Sequence, residues 1–267
     1  MIIPLRPGMA CLWLATLVLC SGCANKPTVP DASQQRSGQQ TQEATPQYRA
    51  QLHTDLGAGY YERGQMQIAL EELNEAVSIE PNYAPAYNIF GLIYAVLGQD
   101  QKAEQSFARA LQLAPNDSDI RHNWGWYLCQ HKREREALAQ FEAAVSNPLY
   151  KTPEVALVNA ARCAQATGDM RLAESYFRRA LAVQPGNPLA SYGLALIAYK
   201  EAHYQDARSL MKSVMLTNNP SPEGLYLGMC VERKLGDRQA ELSYLSQLRN
   251  RYPDSPESKA SQSGACE

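Results

Sequence analysis

No apolar run in this 267-residue sequence is long enough to cross a bilayer as a helix. Charge of one sign is not in excess either. The chain carries 25 Lys and Arg against 27 Asp and Glu, a net charge of −2, and therefore lacks the strongly basic face that a nucleic-acid partner demands. Catalytic signatures are missing: there is no H-E-x-x-H, G-x-S-x-G, G-x-x-x-x-G-K-[ST] or G-x-G-x-x-G. Histidine is scarce, and His53, His122, His131 and His203 include no i, i+4 pair that would place two ligands on one helix face. They read as surface or groove side chains. Glu71-Glu72 and Arg133-Glu134-Arg135-Glu136 read as solvated helix faces. These absences leave no expected catalytic residue, metal, cofactor or small-molecule substrate.

What is present suggests a folded protein, with 45% apolar and 19% charged residues. Residues 9–19 are nearly all apolar, follow Arg6 and precede small residues, so 1–22 reads as a secretory signal. Ser21-Gly22-Cys23 resembles a bacterial lipobox, which makes Cys23 the expected lipidation site. Ala24 after it, in place of an inner-membrane retention Asp, implies the outer membrane, facing the periplasm. Two other readings are a signal cut elsewhere and a redox pair of Cys20 and Cys23, which lacks a neighbouring βαβ pattern. Residues 23–47 then form a polar tether with Pro27, Pro30 and Pro46, whose ends as a coil would lie about 25–30 Å apart.

From Tyr48 the sequence repeats itself. Leu56-Gly57-x-x-Tyr60, Gly64, Ala69, Leu73, Ala76 and Pro81 recur 34 residues later as Phe90-Gly91-x-x-Tyr94, Gly98, Ala103, Phe107, Ala110 and Pro115. Further copies keep Trp124-Gly125, Ala137, Phe141 and Ala144, then, after an insertion at Asn147-Pro148-Leu149-Tyr150, Ala160-Ala161, Gly168, Ala173, Phe177 and Ala180. A fifth keeps Leu194-Ala195, Ala207 and Met211. A sixth has Gly236, Leu245, Leu248 and Pro253 but puts Glu241 where alanine is expected. Small residues let two antiparallel helices approach, bulky ones fill the seam, glycine makes the turn and proline stops the second helix. One such pair cannot bury its own apolar face, so neighbours stack. The pattern resembles the tetratricopeptide repeat, which implies an all-α superhelical solenoid of about six helix-turn-helix repeats over 48–253, with 254–267 as a tail.

Cys129, Cys163, Cys230 and Cys266 allow three pairings in an oxidising compartment. Cys129 and Cys163 fall on first helices of consecutive repeats. Helix axes 8–10 Å apart, less two Cα radii, put facing Cα atoms roughly 3–5 Å apart, so this bridge is expected, against two buried free thiols. Cys230–Cys266 is the weaker pairing, because Cys266 sits in the tail.

In tetratricopeptide arrays the first helices line the concave side. Carried onto this chain, that resemblance gives early repeats with no Lys or Arg at ligand-facing positions, which disfavours a carboxylate clamp, and a more basic far end with Arg162, Lys200, Arg233 and Lys234. Tyr61, Leu92, Val96 and Trp126 become the candidate partner contacts. The alternative is that neighbouring helices or the N-terminal segment cover some of them.

The lipobox, tether, repeats, "HNWGWYLCQ" (122–130) and "NPLYKTPEVALVNAARC" (147–163) together resemble the PilW/PilF group of type IV pilus biogenesis lipoproteins. That resemblance implies a pilotin. Its expected activity is non-enzymatic: binding the pilus secretin and promoting its outer-membrane localisation and multimerisation. The alternative is a periplasmic tetratricopeptide adaptor that docks cell-wall enzymes.

Overall fold

A computed structural model describes residues 45–264 and 266; the signal, Cys23 and the tether as far as residue 44 lie outside the described residues. Thirteen helices account for the described chain. They run as hairpins: α1 (Pro46–Glu62) with α2 (Met66–Ile79), α3 (Ala84–Val96) with α4 (Asp100–Leu113), and α5 (Ser118–Gln130) with α6 (Glu134–Val145). Then come α7 (Pro153–Ala166) with α8 (Met170–Val183), α9 (Pro188–Lys200) with α10 (Tyr204–Met215), α11 (Pro222–Leu235) with α12 (Arg238–Arg251), and a last helix, α13 (Pro256–Ser263).

Odd-numbered helices through α11 touch both the even helix of their own pair and the neighbouring odd helices, whereas no two even helices touch among the described residues. The even helices therefore splay outward and the odd ones line the inner face. This is the tetratricopeptide solenoid, and its cause is visible in side-chain size. Ala69, Ala103, Ala137, Ala173 and Ala207 are all 0% exposed, and Leu73, Phe107, Phe141, Phe177 and Met211 are buried beside them.

The sixth repeat solves the same packing problem with charge. Glu241 replaces the alanine and is 3% exposed, held by Arg233 Nε and Arg238 Nη1, each at 2.8 Å. Burial alone would raise its pKa. The hydrogen bonds from Arg238 and Arg233, together with their charges, outweigh that and hold the carboxyl below its usual range.

The turn between paired helices needs one residue in the left-handed region. Gly64 (φ 73°), Gly98 (67°), Gly168 (80°) and Gly236 (78°) supply it. In the third and fifth repeats the same place falls to Lys132 (58°) and Ala202 (62°), whose Cβ atoms crowd the backbone there. Ala202→Gly is therefore expected to stabilise the protein by about 1 kcal/mol. A urea denaturation midpoint that stays put or falls would contradict this.

Two boundaries differ from the sequence reading. The first helix begins at Pro46, because the Thr45 hydroxyl accepts from Tyr48 N at 3.2 Å and proline fits the first turn. The tail is not irregular. Ser255-Pro256-Glu257 repeats Ser221-Pro222-Glu223 one 34-residue period later, and Ser255 Oγ accepts from Ser258 N at 3.1 Å as Ser221 Oγ accepts from Gly224 N at 3.2 Å. α13 thus takes the first-helix place of a seventh repeat, packed on α11 and α12.

Candidate functional site

The inner face carries three hollows that join end to end. The first, of about 400 Å³, lies between α5 and α7 and is lined by Trp126, Gln130, Asn159, Arg162 and the pair Cys129 and Cys163. Arg162 also lines the second, of about 550 Å³, together with Gln165, Tyr192 and Leu196. Tyr192, Leu196 and Glu223 are shared with the third, of about 300 Å³, which is bounded by α9, α11 and α13. The result is a trough along the odd helices from the third repeat to the end of the array.

Of the four expected contacts, only Trp126 lines this trough. Its indole is half-buried and also packs against the core of the third and fourth repeats, so it is as much a wedge between repeats as a surface group. Leu92 packs with Phe107 and Tyr127, and Tyr61 packs on the core of the first two repeats. Val96 is 52% exposed. The structure does not bring Tyr61, Leu92 and Val96 together with Trp126 in one hollow. Outside those four lies the far end, where Tyr192, Tyr199 and Tyr226, at ligand-facing positions of the later repeats, converge with Leu196 and Leu227. The signal was available in the tyrosines at 192 and 226, one repeat period apart.

Two disulfides border the trough. Cys129 is joined to Cys163 with Cα atoms 5.8 Å apart, bracing α5 against α7. Cys230 is joined to Cys266 with Cα atoms 5.5 Å apart, and this pins the end of the chain to α11. Tyr199 Oη donates to the Cys266 carbonyl at 2.8 Å, and Arg233 Nη1 donates to the Gly264 carbonyl at 2.7 Å, so the same segment is held from two sides.

Beneath the first hollow the Asn-Pro-Leu-Tyr insertion folds back on itself. Asn147 Oδ1 accepts from Leu149 N at 3.0 Å, and Asn147 Nδ2 donates to Ser118 Oγ at 3.1 Å. Leu149 is thrown outward, and Tyr150 is carried inward to 8% exposure. There its hydroxyl lies 3.0 Å from His122 Nδ1, while Asn159 Nδ2 donates to His122 Nε2 at 2.7 Å. His122, read from the sequence as a surface or groove side chain, is a half-buried hydrogen-bonding centre. Burial pushes its pKa down to about 4, because nothing beside it compensates a buried imidazolium.

The electrostatics of the trough change along its length. Arg162 stands at the junction of the first two hollows, and the third carries Glu223 and Glu257 at one end and Lys200 at the other. Burial, helped by the two carboxylates, raises the Tyr192 phenol, while Arg162 opposes them. Elsewhere, His53 Nδ1 meets Glu72 Oε2 at 2.7 Å, and His131 lies 3.6 Å from Asp100. Among the described residues no three His, Cys, Asp or Glu side chains converge as a metal site, and no helix is long and apolar enough to cross a membrane.

An elongated inner trough built from helix hairpins suits an extended polypeptide, and comparison with known proteins narrows the reading. Tetratricopeptide-repeat families match residues 84–117, 164–227 and 224–255. The type IV pilus assembly protein PilF of Pseudomonas aeruginosa is 25% identical over 77% of this chain and 81% of its own length. Its solved structure superposes with a TM-score of 0.75 at 24% identity, over 82% of this chain and 99% of that one, and speaks for the fold. The crystal structure of PilW, described as a widely conserved type IV pilus biogenesis factor, is 30% identical, with a TM-score of 0.69 over 80% of this chain and 98% of that one. With nearly the whole of PilW matched at 30% identity and the repeats in place, this chain belongs to the PilW/PilF family of type IV pilus tetratricopeptide-repeat proteins.

Proposed function

We propose that this protein is a non-enzymatic assembly factor of the type IV pilus, anchored to the outer membrane through a lipid on Cys23, which holds an unassembled secretin subunit and promotes its multimerisation there. The supporting observation is the match along almost the entire length of PilW, a pilus biogenesis factor, combined with a continuous inner trough of peptide-binding dimensions. A solenoid offers such a surface without any catalytic group.

The anchor follows from the chemistry of the thiol. A diacylated cysteine carries two chains, enough for stable rather than transient membrane residence, and a polar tether leaves the folded part free to reach a partner. Cys23→Ser is expected to move the protein from the membrane to the soluble fraction and to deplete secretin multimers in the outer membrane. Deletion of the gene should deplete them further. Membrane fractionation of the variant that matches the parent would remove the anchor from the proposal, and undiminished multimers in the deletion strain would remove the secretin.

A further inference from the structure

The third hollow exists because a periodic feature stops. Tyr192 on α9 and Tyr226 on α11 are one 34-residue period apart, and one period further on α13 presents Ala260. All three line the hollow, with Leu196 and Leu227 beside them, so the ladder of rings ends on a methyl group and leaves about 300 Å³ open, in the range that holds a small ligand or a side chain. The wall that bears Ala260 is fixed. It follows α12 directly, packs on α11 and α12, and leads into the segment tied down by Cys230–Cys266 and by Tyr199 and Arg233.

The charge around the opening is equally specific. Glu223 and Glu257 occupy the same place in their Ser-Pro-Glu helix starts, line the hollow together, and form no hydrogen bond or ion pair with another side chain among the described residues. Both sit in the first turn of their helices and line the hollow with Tyr192, itself near the start of α9, which puts them on one lip; Arg162 faces the Tyr192 phenol from the second hollow. Lys200, in the last turn of α9, also lines the hollow, but at the opposite end of the helices from the first turns that carry Glu223 and Glu257. The lip beside the tyrosine ladder is therefore anionic.

We infer that the hollow between α9, α11 and α13 receives an aromatic side chain of an extended partner segment, with a Lys or Arg within two residues of it facing Glu223 and Glu257. The ring takes the place in the ladder that Ala260 leaves open, stacking in the offset or tilted arrangements that aromatic neighbours prefer. The cation meets two carboxylates that no described side chain neutralises and lies within reach of the Tyr192 and Tyr226 rings. This holds whichever protein supplies the segment, so the secretin test above and the test below fail independently.

A phage-displayed library of random dodecapeptides panned on the purified, oxidised protein provides the probe. Enriched peptides should combine Phe, Tyr or Trp with an adjacent Lys or Arg. Synthetic copies should bind about tenfold more weakly to the Glu223→Lys/Glu257→Lys variant, and more weakly still to Ala260→Tyr, which completes the ladder from within. Both variants should keep the parental circular dichroism spectrum. If Ala260→Tyr alters the spectrum, the double charge reversal, at partly or fully exposed positions, decides alone. Enrichment of acidic peptides, absence of any enrichment, or equal affinity for the parent and the charge-reversed protein would overturn the inference.

Discussion

Gly193→Ala is expected to destabilise the protein by roughly 2 kcal/mol, although adding a methyl group in the middle of a helix ordinarily gains about 1 kcal/mol. The inversion comes from a ring. A Cβ built on Gly193 would clash with Phe177 Cζ and Cε2, and Phe177 is 2% exposed, so a buried ring has to shift to admit the methyl group. In the first three repeats the seam residue lies over the glycine of its own pair, as Phe107 does over Gly91 and Phe141 over Gly125. The fourth repeat has Ala161 at that place, and the Phe177 ring lies over Gly193 of the next repeat instead. The cost of overpacking therefore falls on the junction between the fourth and fifth repeats, and the last repeats should uncouple first in urea. Phe177→Leu in the Gly193→Ala background should recover part of the loss. Gly59→Ala, where a Cβ meets nothing within 4 Å, should show the ordinary gain. Equal midpoints for the Gly193→Ala variant and the parent would mean that the ring yields freely.

The repeat was legible because its information is carried by volume. Alanines at 69, 103, 137, 173 and 207 have to be small for two helices to meet, and a 34-residue period of small residues survives whatever the surface does. The Ser-Pro-Glu start of α13 had the same legibility, but its following residues are polar and its tail is short, so composition concealed the periodicity. The site was less legible for a different reason. Groove positions in a tetratricopeptide repeat say which way a side chain points, not how far its neighbours overlap it, and Leu92 and Tyr61 are claimed by the cores beneath them. The third hollow depends on what α13 lacks at Ala260, and an absence becomes visible only when the wall it belongs to is in place. His122 escaped for a similar reason: the residues that bury it, Tyr150 and Asn159, lie 28 and 37 positions away.

Acid should loosen the array through His122 before the carboxylates respond. Its imidazole titrates near 4 in the folded chain and near 6.5 when unfolded, so between those values the unfolded chain binds the extra proton. The stabilising contribution is complete above pH 6.5 and is lost as pH falls toward 4. Between pH 7 and pH 5 the loss amounts to about 2 kcal/mol. Geometry gives the same sign. With Asn159 Nδ2 donating to Nε2, the single ring proton sits on Nδ1 and points to Tyr150 Oη, and a second proton would have to displace the amide. No charged side chain contributes to the depression, since burial is its one cause, and the Phe141 ring 5.9 Å away adds apolar surface. Glu142 and Glu241, held below the usual carboxylate range by their arginines, lose their stabilising contribution only at lower pH, beneath this window. His122→Gln keeps one donor and one acceptor for Tyr150 and Asn159 and removes the titration, so its stability should be flat between pH 7 and pH 5 where the parent's falls. Parallel pH profiles for the two proteins would place the titrating proton on another group.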